Sequence, residues 1–462
     1  VGAIAPVDPK APSIRFQVNL PTEWNRRSLQ YGGGGFNGVL ISGLGLPPDG
    51  RPDQPSPLAR GFATYGTDSG HQNAPGVPLQ AFALNDEALV NFAYASYKKV
   101  RDVAVELMKR RYGEGPAYLY FMGSSEGGRE GLTMAQRFPN DFDGIFSRVP
   151  VINWTGLQAA GTRVGALQMA PGGWLDPAAV KAVGDAVLAA CDARDGLADG
   201  IVSDYEGCRR ELDASKLPRL SDAQRKAVEA MYSPYTFSFP LANGVTSYPG
   251  WGRGGEAAAG GGPVGGWTSW QTGSGAPTLP PGPASSRAWL YGSGAVQYFY
   301  ARDPKFDPRG YDPAAFAERV LQVSLLMDST NPNLHAFATR GGKLIVAEHM
   351  ADYAQSPYAG IDYYRSVLGN MGEATVDGFM RLYVTPGADH MGMGAPSGVD
   401  MLQVLVDWAE KGKAPGELVQ ASLEPQPPFA VTSERPMCRY PAFPRYVGGS
   451  PRLAQSFRCS AE

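Results

Sequence analysis

A chain of 462 residues with 43% apolar and 18% charged residues has ample material for a buried core, and its length suggests a large catalytic domain carrying a substantial insertion. A formal net charge of −3 gives no basis for a nucleic-acid or anionic-membrane partner. No apolar run approaches the roughly 18 residues needed to cross a bilayer, so a soluble protein is expected.

Residues 13–20, Ser-Ile-Arg-Phe-Gln-Val-Asn-Leu, alternate polar and apolar side chains as a half-buried strand does. A glycine-rich loop at 32–38 and an irregular stretch through Thr67-Asp68-Ser69-Gly70-His71 follow. Residues 85–112 predict a long amphipathic helix, because Leu89, Phe92, Ala93, Val100, Val103, Ala104 and Leu107 recur at spacings of three and four and Gly113 stops the pattern. The short apolar run 117–122 predicts a buried parallel strand, 123–128 a turn, and 129–138 a helix before Pro139. Residues 343–347 and 379–384 predict two more central strands, with helix at 361–368 between them. This alternation predicts an α/β sheet. Residues 165–340 differ in character, and 248–283 within them are rich in Gly, Pro and Trp without a period. They are expected to form a second, lid-like domain inserted between two halves of a catalytic domain, 1–164 and 341–462.

The sequence contains one G-x-S-x-G, Gly123-Ser124-Ser125-Glu126-Gly127, between a predicted strand and a predicted helix. That is the context of a nucleophile elbow, where flanking glycines relieve a strained turn. A serine hydroxyl needs a base, and the base needs a third group to orient it. Of the four histidines, His390 lies just after the strand 379–384, where the base is expected. His349 sits too close to 343–347 to leave room for an acid strand before it, His71 precedes the nucleophile, and His335 lies where the insertion returns to the sheet. Asp352, on the loop after 343–347, is the expected acid, with Glu348 as runner-up and Asp377 third. Backbone N–H groups of Glu126 and of the 32–35 loop, Gly34 in particular, are the candidate oxyanion donors.

The stretch Cys191-Asp192-Ala193-Arg194-Asp195-Gly196-Leu197-Ala198-Asp199-Gly200-Ile201 makes an oxygen-rich loop. Two readings are open, a Ca²⁺ loop without EF-hand spacing or a cluster of Asx turns. The aromatics of the insertion, Trp251, Trp267, Trp270, Trp289, Tyr291, Tyr298, Phe299 and Tyr300, either line a pocket for an aromatic acyl group or form the insertion's own core. The four cysteines, Cys191, Cys208, Cys438 and Cys459, fall into two local pairs. Their even number and clustering favour disulfides, the local pairing 191–208 and 438–459 is the simplest of three, and a secreted or periplasmic protein is expected. A start at Val1 without an initiator Met or signal peptide reads as a mature chain.

With these residues in hand, the chain resembles the tannase/feruloyl esterase family over nearly its whole length. The likeness runs through Leu20-Pro21 with Trp24-Asn25, the glycines at 32–38, Thr67 to His71, residues 120–131, Asp141-Phe142-Asp143-Gly144, 191–208, Tyr248-Pro249-Gly250, 341–345, Asp352, Gly387 with His390, and Cys438-Arg439-Tyr440-Pro441. It implies an α/β-hydrolase fold, a Ser125–Asp352–His390 triad, and a structural Ca²⁺ held by Asp192, Asp195 and Asp199 side chains with Leu197 and Ile201 carbonyls. It implies no organic cofactor and no particular oligomeric state. The implied activity is hydrolysis, through an acyl-enzyme, of aromatic-acid esters of the gallate or hydroxycinnamate type. The alternatives are a terephthalate half-ester hydrolase and, from another class, a silent aromatic-ligand binding protein on the same fold. One departure stands out. The family usually places a disulfide between the residue before the nucleophile and the residue after the histidine; here these are Ser124 and Met391. The Ser125–His390 geometry is therefore expected to depend on packing alone.

Overall fold

The computed structural model describes residues 1–212, 220–258 and 265–461. Its centre is an eight-stranded sheet: β1 Gly2–Ile4, β2 Ile14–Asn19, β3 Arg27–Tyr31, β4 Ala63–Thr67, β5 Tyr118–Ser124, β6 Gly144–Arg148, β7 Lys343–His349 and β8 Met380–Thr385. Their spatial order is β1-β2-β4-β3-β5-β6-β7-β8. β2 pairs antiparallel with β1 and β4, and every pair from β4 to β8 is parallel. This is the expected α/β-hydrolase fold.

Strands in a parallel sheet are covered on both faces, which is why they read as unbroken apolar runs. Phe121, Ile145, Leu344, Val346, Leu382 and Val384 point to one face, where Leu132 of the helix Glu126–Arg137 and Ile361 and Val367 of the helix Pro357–Met371 meet them. Tyr120, Met122, Phe146, Ile345, Ala347 and Tyr383 point to the other, against Leu402 and Leu405 of the helix Met401–Lys411. Strands β1, β3, β4 and β6, which periodicity had not marked, complete the sheet.

The helix predicted over 85–112 spans Asp86 to Tyr112, capped by the Asn85 side chain on Ala88 N–H and ended by Gly113 at φ 82°. A π-helical turn at Asn91–Ala95 interrupts it, where the buried Arg129 guanidinium donates to the Ala93 carbonyl at 2.9 Å. The turn predicted over 123–128 is shorter than expected. β5 runs through Ser124 and the next helix begins at Glu126, so Ser125 alone makes the turn.

Between β6 and β7 the described chain contributes no strand to the central sheet. The boundary expected at residue 165 falls inside the helix Trp154–Met169, whose Trp154, Leu157, Ala160 and Val164 already pack with the aromatic core of this excursion. Beyond β8, the ribbons Leu418–Leu423 with Val431–Met437 and Phe443–Tyr446 with Phe457–Ser460 close the chain. Both disulfides form as paired from sequence, Cys191–Cys208 and Cys438–Cys459. No described helix is long and apolar enough to cross a membrane.

Candidate active site

Ser125 sits at the C-terminal edge of the sheet with φ 62° and ψ −121°, a left-handed conformation that a serine adopts only when the surroundings enforce it. Its N–H donates to the Arg148 carbonyl at 3.0 Å, and its own carbonyl accepts from Arg129 and Val151. The glycines on either side are needed for closeness. A Cβ on Gly123 would lie 2.1 Å from the Gly127 carbonyl oxygen, and one on Gly127 would lie 2.6 Å from the Gly33 carbonyl oxygen. The elbow and the glycine loop are thus packed backbone to backbone.

His390 stands on the loop after β8. Its Nδ1 donates to Asp352 Oδ2 at 2.7 Å, and Asp352, fully buried on the loop after β7, is fixed by N–H groups of Ala354 and Gln355. A carboxylate on Nδ1 sets the tautomer and leaves Nε2 able to take a proton. The runner-up Glu348 instead accepts from Gln355 Nε2 at 2.8 Å, and burial holds its carboxyl well above the usual range. Asp377 lies ahead of β8, paired with Arg381 and Arg439. His349 is buried, bonded through Nδ1 to the Asp389 carbonyl, and pushed down to about 3 by burial and the nearby Arg148. His71 is stacked on Phe82, and His335 opens the short helix His335–Thr339.

Ser125 and His390 line one cavity of about 660 Å³, together with Glu126, Gly34, Trp270 and Tyr291. The Gly32 and Gly33 N–H groups are already donated, to the Met122 carbonyl and to Glu130 Oε2, both at 2.9 Å. Gly34 is the loop glycine with open space before it, since a Cβ there would meet nothing within 4 Å. Glu126 presents the first N–H of its helix, where backbone donors lack intrahelical partners and the dipole favours negative charge. Its carboxylate turns away to the buried Arg129 guanidinium at 2.5 Å, and burial pushes it up to about 7.

The aromatics of the insertion divide. Trp270 and Tyr291 line the cavity, with the Trp270 ring edge-on to His390 at 5.2 Å between centroids. Trp251, Trp267, Tyr298, Phe299 and Tyr300 are buried in the insertion's core, and Trp289 is fully buried.

Ser124 and Met391 do not leave the serine–histidine geometry to packing alone, and that expectation is corrected. Arg148 Nη1 donates to Ser124 Oγ at 2.7 Å and to the His390 carbonyl at 3.0 Å, while its Nε lies 2.5 Å from Asp49. Arg148 and Asp49 were not singled out from the sequence. The available signal was a lone arginine ending the short run Gly144-Ile145-Phe146-Ser147.

In the 192–201 loop the carboxylates mostly cap backbone. Asp192 accepts from Asp199 and Gly200, Asp195 Oδ1 from Leu197, and Asp199 Oδ1 from Ile201. Asp199 Oδ2 meets the Arg435 guanidinium, and among the described residues no three His, Cys, Asp or Glu side chains group as a metal site. One oxygen fits a hard cation: Asp195 Oδ2 is buried without a hydrogen-bond partner.

The family model for tannase and feruloyl esterase matches residues 1–460. An uncharacterized esterase of Agrobacterium fabrum is 34% identical, with 100% of this chain and 85% of that protein aligned. A mono(2-hydroxyethyl) terephthalate hydrolase of Piscinibacter sakaiensis is 33% identical over 100% of this chain and 84% of its own length. The crystal structure of feruloyl esterase B from Aspergillus oryzae superposes with a TM-score of 0.78 at 26% identity, covering 98% of this chain and 88% of that one. A match in both sequence and fold, carried over nearly the full length, is more than a shared scaffold supplies, and the chain belongs to the tannase and feruloyl esterase family of carboxylic ester hydrolases.

Proposed function

We propose that this chain is a serine esterase for small esters of aromatic carboxylic acids, acting through an acyl-enzyme on Ser125. The observation that carries the reading is the Asp352–His390 hydrogen bond of 2.7 Å in a cavity shared with a serine held at φ 62°. In the reaction, His390 Nε2 takes the Ser125 hydroxyl proton as Oγ attacks the ester carbonyl. Asp352 orients the imidazole and stabilises the imidazolium. The N–H groups of Glu126 and Gly34 meet the oxyanion, His390 returns the proton to the leaving alcohol, and water, activated by the same imidazole, releases the acid. Trp270 and Tyr291 supply flat apolar walls suited to an aromatic acyl group, and the insertion, entered through the helix Trp154–Met169, acts as the lid domain that brings them over the sheet. Gallate and hydroxycinnamate esters fit this description. A terephthalate half-ester is the second reading, favoured by the 33% identical hydrolase of that substrate.

The test compares methyl gallate, methyl ferulate and mono(2-hydroxyethyl) terephthalate with wild type and Ser125→Ala. Turnover of at least one ester, lost by about 10⁴-fold or more in the variant, is expected. Equal turnover in both proteins sinks the reading. Binding of the aromatic acids without turnover or fluorophosphonate labelling would support the silent binding protein instead.

The loop 192–201 is proposed as a structural Ca²⁺ site anchored on Asp195, supported by that residue's buried unpartnered oxygen. Adding Ca²⁺ to chelator-treated protein is expected to raise Tm by several degrees, as ligand binding to the folded state does. An unchanged Tm with no bound calcium would leave a set of Asx turns closed by Arg435. The two disulfides support an extracellular or periplasmic location.

A further inference from the structure

Ser125 and His390 must come within hydrogen-bond reach, yet they leave the sheet from strands that are not neighbours. β5 and β8 are separated by β6 and β7, three spacings of about 4.8 Å, or roughly 14 Å in all. The loop after β8 therefore reaches back across the sheet edge. Its backbone is fastened to the end of β7 and the loop beyond it: Met350 N–H donates to the Thr385 carbonyl at 3.0 Å, Ala351 N–H to the Ala388 carbonyl at 3.0 Å, and His349 Nδ1 to the Asp389 carbonyl at 2.7 Å. These contacts fix the histidine loop to β7 but do not involve β5.

Arg148 ends β6, in register with Ser124 of β5 on one side and Ala347 of β7 on the other. One nitrogen, Nη1, donates to Ser124 Oγ at 2.7 Å and to the His390 carbonyl at 3.0 Å. Nε is paired at 2.5 Å with Asp49, and the two side chains are only 6% and 3% exposed. Asp49 is itself anchored, since its carbonyl accepts from Val399 N–H at 2.8 Å. A buried ion pair is a poor stabiliser, because desolvation offsets most of the attraction. Its distinctive property is a rigid, planar fork held in one orientation.

We infer that Arg148, seated by Asp49, is a positioning residue for the reaction, setting the spacing between the strand end that carries Ser125 and the loop that carries His390. This rests on the serine-esterase reading above. Arg148 touches the neighbour of the nucleophile and the backbone of the base, and with Asp49 it lines the same cavity, so its loss displaces the two groups from each other while leaving the aromatic walls Trp270 and Tyr291 in place.

The experiment compares wild type, Arg148→Gln and Ser124→Ala for kcat, KM, Tm and the rate of labelling by a fluorophosphonate, with kcat normalised to titrated active sites. Arg148→Gln is expected to lower kcat by about 10- to 100-fold with KM changed by less than about threefold, because small misplacements of reacting groups act on kcat. The labelling rate should fall by a similar factor. Ser124→Ala removes one arm and should lower both rates by about 3- to 10-fold, which keeps the inference open to test if Arg148→Gln fails to fold. Normalised kcat and labelling rates within about twofold of wild type, with only Tm lowered, would overturn the inference and leave Arg148 a structural residue. Ser125→Ala run alongside separates the two levels, since turnover surviving there would remove the serine mechanism itself.

Discussion

His71 and His349 are imidazoles that the fold holds in the interior, one stacked at 3.7 Å on Phe82 and bonded to the Phe36 carbonyl, the other bonded to the Asp389 carbonyl. Burial pushes them down to about 4 and about 3, from an ordinary 6.5. A depressed folded-state value means the unfolded chain binds protons more readily, so their contribution to stability is present above about 6.5 and lost as pH falls toward 4 and then 3. Glu126 acts in the opposite sense. Raised to about 7 by burial, it favours the fold below its ordinary 4.5 and loses that contribution as pH rises through 7. His71→Gln retains an amide donor for the Phe36 carbonyl and removes the titration. Its Tm is expected to fall by about 2 °C less than that of wild type between pH 7 and pH 4.5, measured by scanning calorimetry. Parallel pH curves for the two proteins would show that His71 does not contribute to acid lability.

At the scale of elements, the site is a contact between a turn and a loop. β5 delivers Ser125, the helix Glu126–Arg137 begins at once, and the glycine loop after β3 lies against that junction. Glu130, on the same helix, holds the loop through Gly33 N–H at 2.9 Å and Asn37 Nδ2 at 2.7 Å, with the Tyr97 hydroxyl completing the set. One helix therefore positions the serine, the Glu126 N–H and the loop that carries Gly34, the two groups proposed to meet the oxyanion. Gly123→Ala tests this closeness, because its methyl group would lie 2.1 Å from the Gly127 carbonyl oxygen and the obstacle is backbone. A loss of about 3 kcal/mol in stability, read from the urea midpoint, is expected together with slower labelling of Ser125. A midpoint equal to wild type would mean the turn opens without cost.

At the scale of the whole molecule, the sheet carries Ser125, Asp352 and His390, and the insertion supplies a wall of the cavity that Ser125 and His390 line. Trp270 reaches the cavity from the insertion, while most of the insertion's aromatic mass forms its own core. Trp270→Ala is expected to raise KM for methyl ferulate by about tenfold, a loss of about 1.4 kcal/mol of binding, with a smaller change for an aliphatic methyl ester. Steady-state kinetics on the two esters check it, and equal changes on both would point to a general role beside His390 instead of aromatic recognition.

Several features of this protein are local and can be read from the order of residues alone. The strand–serine–helix junction, the histidine loop after a late strand and the acid loop after the strand before it each lie within a few residues of the signals that mark them. The cysteine pairing was open among three connectivities, and the structure forms the local one, whose short loops close easily. Strands β3, β4 and β6 escaped because they are five residues each and carry little or no alternation for a period to detect. Which aromatics face the cavity, that Asp352 and not Glu348 meets His390, and that Arg148 and Asp49 join at all became visible with the folded chain. Those outcomes depend on side chains from strands and loops far apart in sequence arriving at one edge of the sheet. No local period encodes that arrival, because it follows from the order in which the strands pair.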